Sequence, residues 1–328
     1  MSFSANSVMS YEEFSDVMLN AINENLPTER KLTIRKVNKN NSTQKDGIVF
    51  SDMESFLISP TFYMDDFYAN YLKSEFPIDD FALEISDFYK RDYDPTPLEL
   101  LDIESIDDIK NRLALKVVNT ELNKSLLEEI PSIPFLDLSI VFLILNIEGD
   151  GNVSSTILTN ELLKDFDITI DELYEIALSN TEDLLGVKIT DMASLLIDML
   201  TSAPFNPERD NAEELEKIIE EIHKDQEKIN MYVMTNRTGF NGATTMLMSP
   251  LKNFACDLEK DIYIIPASIH EVILIPVTSE ISLDSLLRIV EDVNQRELKK
   301  SEILSNNVYY YNYEACTLSV AEESNFQL

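Results

Sequence analysis

His270 and Glu271 stand side by side between two apolar runs, with Ser268 just before them. An imidazole beside a carboxylate can serve as a tuned general base, so this is the first place where residue types point to chemistry. The competing reading is a turn histidine that hydrogen-bonds a hairpin. It is preferred, because only one class of catalytic partner is visible. Asn236, Arg237 and Asn241 cluster after a predicted strand end, where polar loops can bind ligands. Ordinary turn chemistry accounts for the same three residues and is again preferred. Asn236, Arg237, Asn241, His270 and Glu271 together form the candidate interaction site, and none is given a catalytic role.

Other chemistry is weaker. Cys256, Cys316, His223 and His270 match a Cys₂His₂ zinc set in composition but lack its paired spacing. His223 lies on an acidic helix with Glu220 three residues before and Glu227 four after, and reads as a surface histidine. His270-Glu271 runs on into apolar strand residues, with no second histidine for a zincin motif. Glu297-Leu298-Lys299 resembles the tail of a nuclease metal motif but sits among other charges at a helix end. Asp150 and Asn152 belong to a hairpin turn rather than a calcium loop. No phosphate-cradling loop and no Gly-x-Ser-x-Gly elbow occurs. Tyr309, Tyr310, Tyr311 and Tyr313 could stack on a partner, but a two-sided strand is the simpler reading. No metal and no cofactor is expected.

The elements that must carry these residues follow from periodicity. Ser10 to Glu13 is a capping box, and Phe14, Val17, Met18, Ala21 and Ile22 repeat at helical spacing after it. Strands are predicted over Lys31–Val37, Ile48–Phe50 and Phe56–Tyr63, then helices over Asp66–Leu72 and Ile78–Tyr89 with aromatic inner faces. Asp94-Pro95-Thr96-Pro97 is a connection, since each proline disfavours helix before it. Phe135–Ile147 is one buried strand or two, and Gly149-Asp150-Gly151-Asn152 turns it into Val153–Leu158. Thr169 to Glu172 is a second capping box. A short strand at Val187–Ile189 and a mostly apolar helix at Ala193–Leu200 follow. Pro204–Asn211 is a second connection, and Asn211 caps the next helix. Strands are expected at Met231–Thr235, Ile262–Pro266, Val272–Val277, Val308–Tyr313 and Thr317–Val320, with helices from Ser249-Pro250 and over Leu283–Val293, the latter capped by Ser282.

This mixture predicts an α+β protein with largely antiparallel sheets: an N-terminal helix–sheet–helix module, then a larger α+β region. The expected divisions are 1–93, 98–203 and 211–328, with the last two open to being one domain.

Four blocks carry a resemblance. They are Thr159–Leu163 with Ile168-Thr169 and Glu172–Thr181; Tyr232–Asn236 with Gly242-Ala243; Tyr263–Pro276; and Val290–Asn294 with Leu304–Tyr311. In this order they resemble an uncharacterised domain-of-unknown-function family of Clostridia-type gut bacteria and their mobile elements. The likeness runs from the first helix to Tyr313. The block around Asn160 and Asn180 also resembles a second uncharacterised family, of Firmicutes proteins. The resemblance implies a bacterial, cytoplasmic protein of one architecture and assigns no activity. The chain departs from the family pattern near Gly239–Leu247, where Thr244 and Thr245 replace a more apolar run.

Composition bounds the function classes. Across 328 residues there are 60 acidic and 26 basic side chains, a formal charge of −34. Such a chain is not built to bind nucleic acid through phosphates or to dock on an anionic membrane. Its field attracts a basic partner. At 44% apolar residues it can still build a core. Two cysteines make no disulfide framework, and the first nine residues lack a signal-peptide pattern, so a cytoplasmic location is expected. The expected function is non-enzymatic binding of a basic protein. The alternatives are an enzyme with an unrecognised site near His270 and Glu271, and a structural or regulatory protein whose acidity serves solubility.

Overall fold

Ser10 begins the first helix in the way its spacing predicts. Its hydroxyl accepts from the Glu13 N–H at 3.2 Å, and the Glu13 carboxylate accepts from the Ser10 N–H at 3.0 Å. Those bonds, the backbone one first, hold the Glu13 carboxyl below the usual carboxylate range. In the computed structural model, residues 8–27, 31–50, 62–73, 77–91, 103, 105–147, 153–164, 166–202, 212–278 and 281–322 are described. The chain divides into two compact units, Met1–Glu104 and Ser105–Leu328. The connection predicted over Asp92–Pro97, most of the strand predicted from Phe56, the turn at Gly149–Asn152 and the segment Pro204–Asn211 lie outside the described residues. Among the described residues, no helix is long and apolar enough to cross a membrane.

The first unit packs helices on a three-stranded sheet. Helix α1 (Tyr11–Glu24) buries Phe14, Met18 and Ile22, four residues apart and so on one face. Strands β1 (Leu32–Lys39) and β2 (Thr43–Phe50) form an antiparallel hairpin, and β3 (Phe62–Tyr63) pairs with β2. Helices α2 (Met64–Lys73) and α3 (Ile78–Arg91) turn aromatic faces inward. Phe62 meets Phe88 edge-on at 5.0 Å, Phe67 meets Phe81 at 5.4 Å, and Phe14 lies 5.0 Å from Tyr71. Rings in such geometries add about 0.5–1.5 kcal/mol per pair beyond their burial.

A carboxylate is buried under this sheet. Asp46 accepts a 2.7 Å hydrogen bond from the Tyr11 hydroxyl and a 2.7 Å ion pair from Lys36. Burial alone would raise its pKa, but the Lys36 ammonium and the Tyr11 hydroxyl outweigh it and hold the carboxyl below its ordinary value. A carboxyl depressed in the folded state contributes stability above its unfolded pKa, and that stability is lost as pH falls through the folded value. Asp46→Ala is therefore expected to cost about 1–3 kcal/mol at neutral pH, mostly because the Tyr11 hydroxyl loses its acceptor, since Lys36 is largely exposed. The gap from the parent should narrow as pH falls from 7 towards 3. Urea unfolding at the two pH values measures both, and equal gaps would exclude this account.

The second unit holds two sheets. The first comprises β4 (Leu113–Asn119), β5 (Ser132–Phe135), β6 (Leu138–Ile147) and β7 (Val153–Ile157), with a short helix α4 (Lys124–Leu127) after β4. Strand β6 is central. It has β4 along one edge, and β5 and β7 in succession along the other, all antiparallel. The apolar run Phe135–Ile147, read as one strand or two, is thus one long strand, β6, with only Phe135 belonging to the strand before it. The Phe135–Leu138 pair closes a tight hairpin whose turn is Leu136-Asp137, with Leu136 left-handed at φ 55°. The Ile147–Val153 pair brackets the second predicted turn.

Helices α5 (Asn160–Leu163) and α6 (Ile170–Leu185) come next, α6 opening on the Thr169–Glu172 capping box. Then follow β8 (Lys188–Asp191), α7 (Met192–Ser202), α8 (Ala212–Lys228), β9 (Tyr232–Thr235) and α9 (Ser249–Leu258). The chain ends with β10 (Ile262–Ile265), β11 (Val272–Pro276), α10 (Leu283–Arg296), β12 (Tyr309–Asn312) and β13 (Thr317–Val320). These strands form a six-stranded antiparallel sheet in the order β13-β12-β10-β11-β9-β8. The fold is α+β with antiparallel sheets, and the tyrosine run is the buried strand β12.

Among the described residues, strand β4 has no partner strand on its outer edge. Side chains satisfy that edge instead. The Leu115 N–H donates to Thr181 Oγ1 at 2.8 Å, and the Val117 N–H to Thr244 Oγ1 at 3.3 Å. Asn180 Nδ2 donates to the Lys110 and Leu113 carbonyls at 2.6 and 3.0 Å. An open, buried edge would leave several backbone groups unpaired, and these residues prevent it. Thr244, from the segment after β9, and Asn180 of α6 both serve this edge.

Candidate functional site

Strand β9 runs antiparallel to β11, with Val272 opposite Met234. That register puts the loop after Thr235 next to the turn joining β10 and β11. Sequence positions near 236–242 and 268–271 thereby become neighbours. Thr235 Oγ1 donates to the His270 carbonyl at 2.7 Å, and the Ala243 N–H donates to the Ile269 carbonyl at 3.2 Å.

Each segment is also closed on itself. Asn236 is buried; its Nδ2 donates to the Phe240 carbonyl at 2.7 Å, while its Oδ1 accepts from the Thr238 N–H and hydroxyl at 3.1 and 3.0 Å. Asn241, also buried, takes a left-handed conformation at φ 51°, which asparagine tolerates better than most residues. In the hairpin, the Ser268 N–H donates to the Glu271 carbonyl at 3.2 Å and Ser268 Oγ accepts from the His270 N–H at 2.9 Å. The Ile269 N–H reaches the Glu302 carbonyl at 2.9 Å and ties the hairpin to the segment after α10.

His270 links the two segments. Its Nδ1 lies 3.1 Å from the Gly239 carbonyl oxygen. A carbonyl only accepts, so Nδ1 carries the proton and a neutral ring keeps its lone pair on Nε2. Among the described residues, no hydrogen bond joins His270 to Glu271. His270 thus sits in the hairpin turn with its ring directed at the loop after β9 rather than at the Glu271 carboxylate.

The five predicted residues separate into two groups. Asn236, Asn241 and His270 belong to one polar knot. Arg237 is exposed; its N–H donates to the Leu185 carbonyl at 3.0 Å and its side chain lies across Gly186. The Glu271 carboxylate does not enter the knot, only its backbone does. Sequence reasoning passed over Gly242, which sits at the centre. A Cβ there would overlap Thr235 Oγ1 and the His270 carbonyl oxygen and stand 3.0 Å from the Asn236 nitrogen. The Asn241-Gly242 pair, a turn dipeptide, was the available signal.

Two surface grooves lie elsewhere in this unit. One, of about 500 Å³ at the start of α6, is lined by Asp167, Asp171, Glu172 and Glu175 with Ile168 and Ile176. Glu172 is committed to the helix cap, where the Thr169 N–H and hydroxyl depress its pKa. The other, of about 550 Å³, lies along α10, where Asp284, Arg288 and Glu291 face Ile303 and Asn306. Among the described residues, no three His, Cys, Asp or Glu side chains come together as a metal-binding group. Cys256 and Cys316 are free thiols, both exposed.

No curated protein and no solved structure matches this chain. One family pattern does, the Family of unknown function (DUF5688), over residues 11–313. That span contains the four-stranded sheet, the six-stranded sheet apart from β13, the polar knot and the helices of the first unit, so the chain belongs to the DUF5688 family.

Proposed function

We propose that the protein is a bacterial, cytoplasmic binding protein without catalytic activity, and that its partner is a basic protein. The observation that carries this reading is the surplus of carboxylates. With 60 acidic and 26 basic side chains, pairing every Lys and Arg one-to-one still leaves 34 carboxylates. Some negative charge serves helix starts, as Glu13 and Glu172 do. Much of the rest stands in solvent: Asp171, Glu175 and Asp183 on α6, Glu216, Glu220 and Glu221 on α8, and Asp284 and Glu291 on α10. Such a surface steers cationic proteins and repels nucleic acid and anionic lipid. The free exposed thiols suit a reducing compartment.

Affinity capture on the immobilised full chain, eluted with a salt gradient, tests it. Proteins of high isoelectric point are expected to be retained at low salt and released as ionic strength rises. Capture of nothing basic would leave acidity with solubility alone and overturn the reading.

A further inference from the structure

Helix α7 is the most apolar of the longer helices among the described residues, yet Ala193 is its only buried residue. Leu196 is 41%, Met199 66% and Leu200 38% exposed. Their spacing, i, i+3 and i+4, places them on one face. A helix of this composition normally turns such a face to the core, and this one leaves it in solvent. Helix α8 packs beside α7 and exposes Ile218 at 39%. The surroundings of the face are anionic. Asp198 is the only charged residue of α7, and α8 carries seven carboxylates against three lysines.

We infer that the exposed face of α7, with its acidic flank on α8, is a docking surface for a basic amphipathic helix of a partner protein. The inference rests on the acidic-binding reading above and names the surface that would perform it. Charge complementarity selects the occupant. A second copy of the chain would bring the same −34 charge, and a two-fold contact would set Asp198 and the α8 carboxylates against their own kind. An anionic membrane is repelled for the same reason. A helix with leucine-type anchors on one side and Lys or Arg on its flanks answers both parts of the surface. Its anchors at i, i+3 and i+4 match the spacing that α7 presents.

The test uses the full chain and a fluorescent synthetic amphipathic helix built from leucine and lysine, read by anisotropy. Two control peptides replace lysine by glutamate or leucine by serine. The triple variant Leu196→Gln, Met199→Gln, Leu200→Gln keeps the charge and removes the apolar face. Ile289→Gln, at an exposed position of α10, makes the same kind of change elsewhere. The expected result is binding at least about tenfold weaker for the triple variant, with Ile289→Gln within about twofold of the parent. The leucine-to-serine peptide should bind about tenfold more weakly, and the glutamate peptide should not bind. Met199→Gln alone, at the most exposed position, serves if the triple variant fails to fold. Unchanged binding by the α7 variants would overturn the docking surface and leave the acidic-binding reading intact. Failure of the parent to bind the leucine–lysine helix would overturn both. Sedimentation showing a parent dimer that the triple variant loses would give the face to a second copy and overturn the basic-helix occupant.

Discussion

Gly242→Ala is expected to destabilise the second unit by about 3–5 kcal/mol, more than any single change at a charged residue of the candidate site. An added methyl would collide with Thr235 Oγ1 and with the His270 carbonyl oxygen, two atoms already bonded to each other at 2.7 Å. Neither can retreat freely. His270 is held through its N–H to Ser268 and its ring to Gly239, and Thr235 ends a strand paired to β8. Overpacking typically costs about 1–3 kcal/mol. Separating the two segments would also strain the Thr235–His270 and Ala243–Ile269 hydrogen bonds, at about 1 kcal/mol each. Gly239 is the internal comparison. It has φ 71° but nothing within 4 Å of where its Cβ would stand. Its alanine variant pays only for the left-handed backbone, about 1–2 kcal/mol. Chemical unfolding of the two variants separates collision from conformation, and a Gly239 cost equal to that of Gly242 would refute the packing argument.

The second large effect is expected at Asp137. Its carboxylate accepts from the Ser305 hydroxyl at 2.6 Å and the Tyr309 hydroxyl at 2.9 Å, joining the turn of the β5–β6 hairpin to β12 of the other sheet. Both donors are on almost fully buried residues. Asp137→Ala leaves two buried hydroxyls without their acceptor, at about 1–3 kcal/mol each, so a loss of about 2–5 kcal/mol is expected. Asp137→Asn should cost less, because an amide oxygen still accepts from one hydroxyl and the other can turn to accept from the amide NH₂. There is a matching alkaline signature. Burial first, then the Asp137 charge, pushes the Tyr309 hydroxyl well above its ordinary value of 10.0. A group whose folded pKa is raised contributes stability below its unfolded pKa and loses it as pH rises towards the folded value. The parent should therefore lose stability above about pH 10, and Asp137→Ala, which keeps the burial but not the charge, should reach the end of that loss at a lower pH. Thermal melts across that range decide it. A variant as stable as the parent at neutral pH would remove Asp137 from the list of inter-sheet ties.

Asp137 also shows how far the sequence could be read. In sequence it only interrupts an apolar run. Its partners at 305 and 309 are more than 160 residues away, and no local pattern announces them. Local grammar was legible. The hydroxyls of Ser10, Thr169 and Ser282 cap the helices that follow them, because a cap depends on residues three apart. The aromatic faces of α2 and α3 were legible for the same reason. Strand β4 was not. Its Leu-Ala-Leu-Lys-Val-Val-Asn is buried on both faces apart from Lys116 and Asn119, so it lacks the alternation that marks a half-buried strand. Its edge is satisfied by Thr181 and Thr244, whose pairing with it depends on tertiary packing. The candidate site divided along the same line. The turn chemistry of Asn236 and Asn241 could be read locally, whereas the contact of His270 with Gly239 needed the β9–β11 register.

One feature of the six-stranded sheet reaches beyond the fold itself. Asp191 and Tyr232 are paired across β8 and β9, so the chain leaves the sheet and re-enters it on a single rung. Helices α7 and α8 and the residues between them are thus an excursion of roughly 40 residues between two positions already in contact. The entropy of closing such an excursion grows only with the logarithm of its length. Lengthening, shortening or exchanging it perturbs the sheet little, provided the rung survives. The arm that carries the exposed apolar face can therefore change its sequence and reach while the sheet beneath stays fixed.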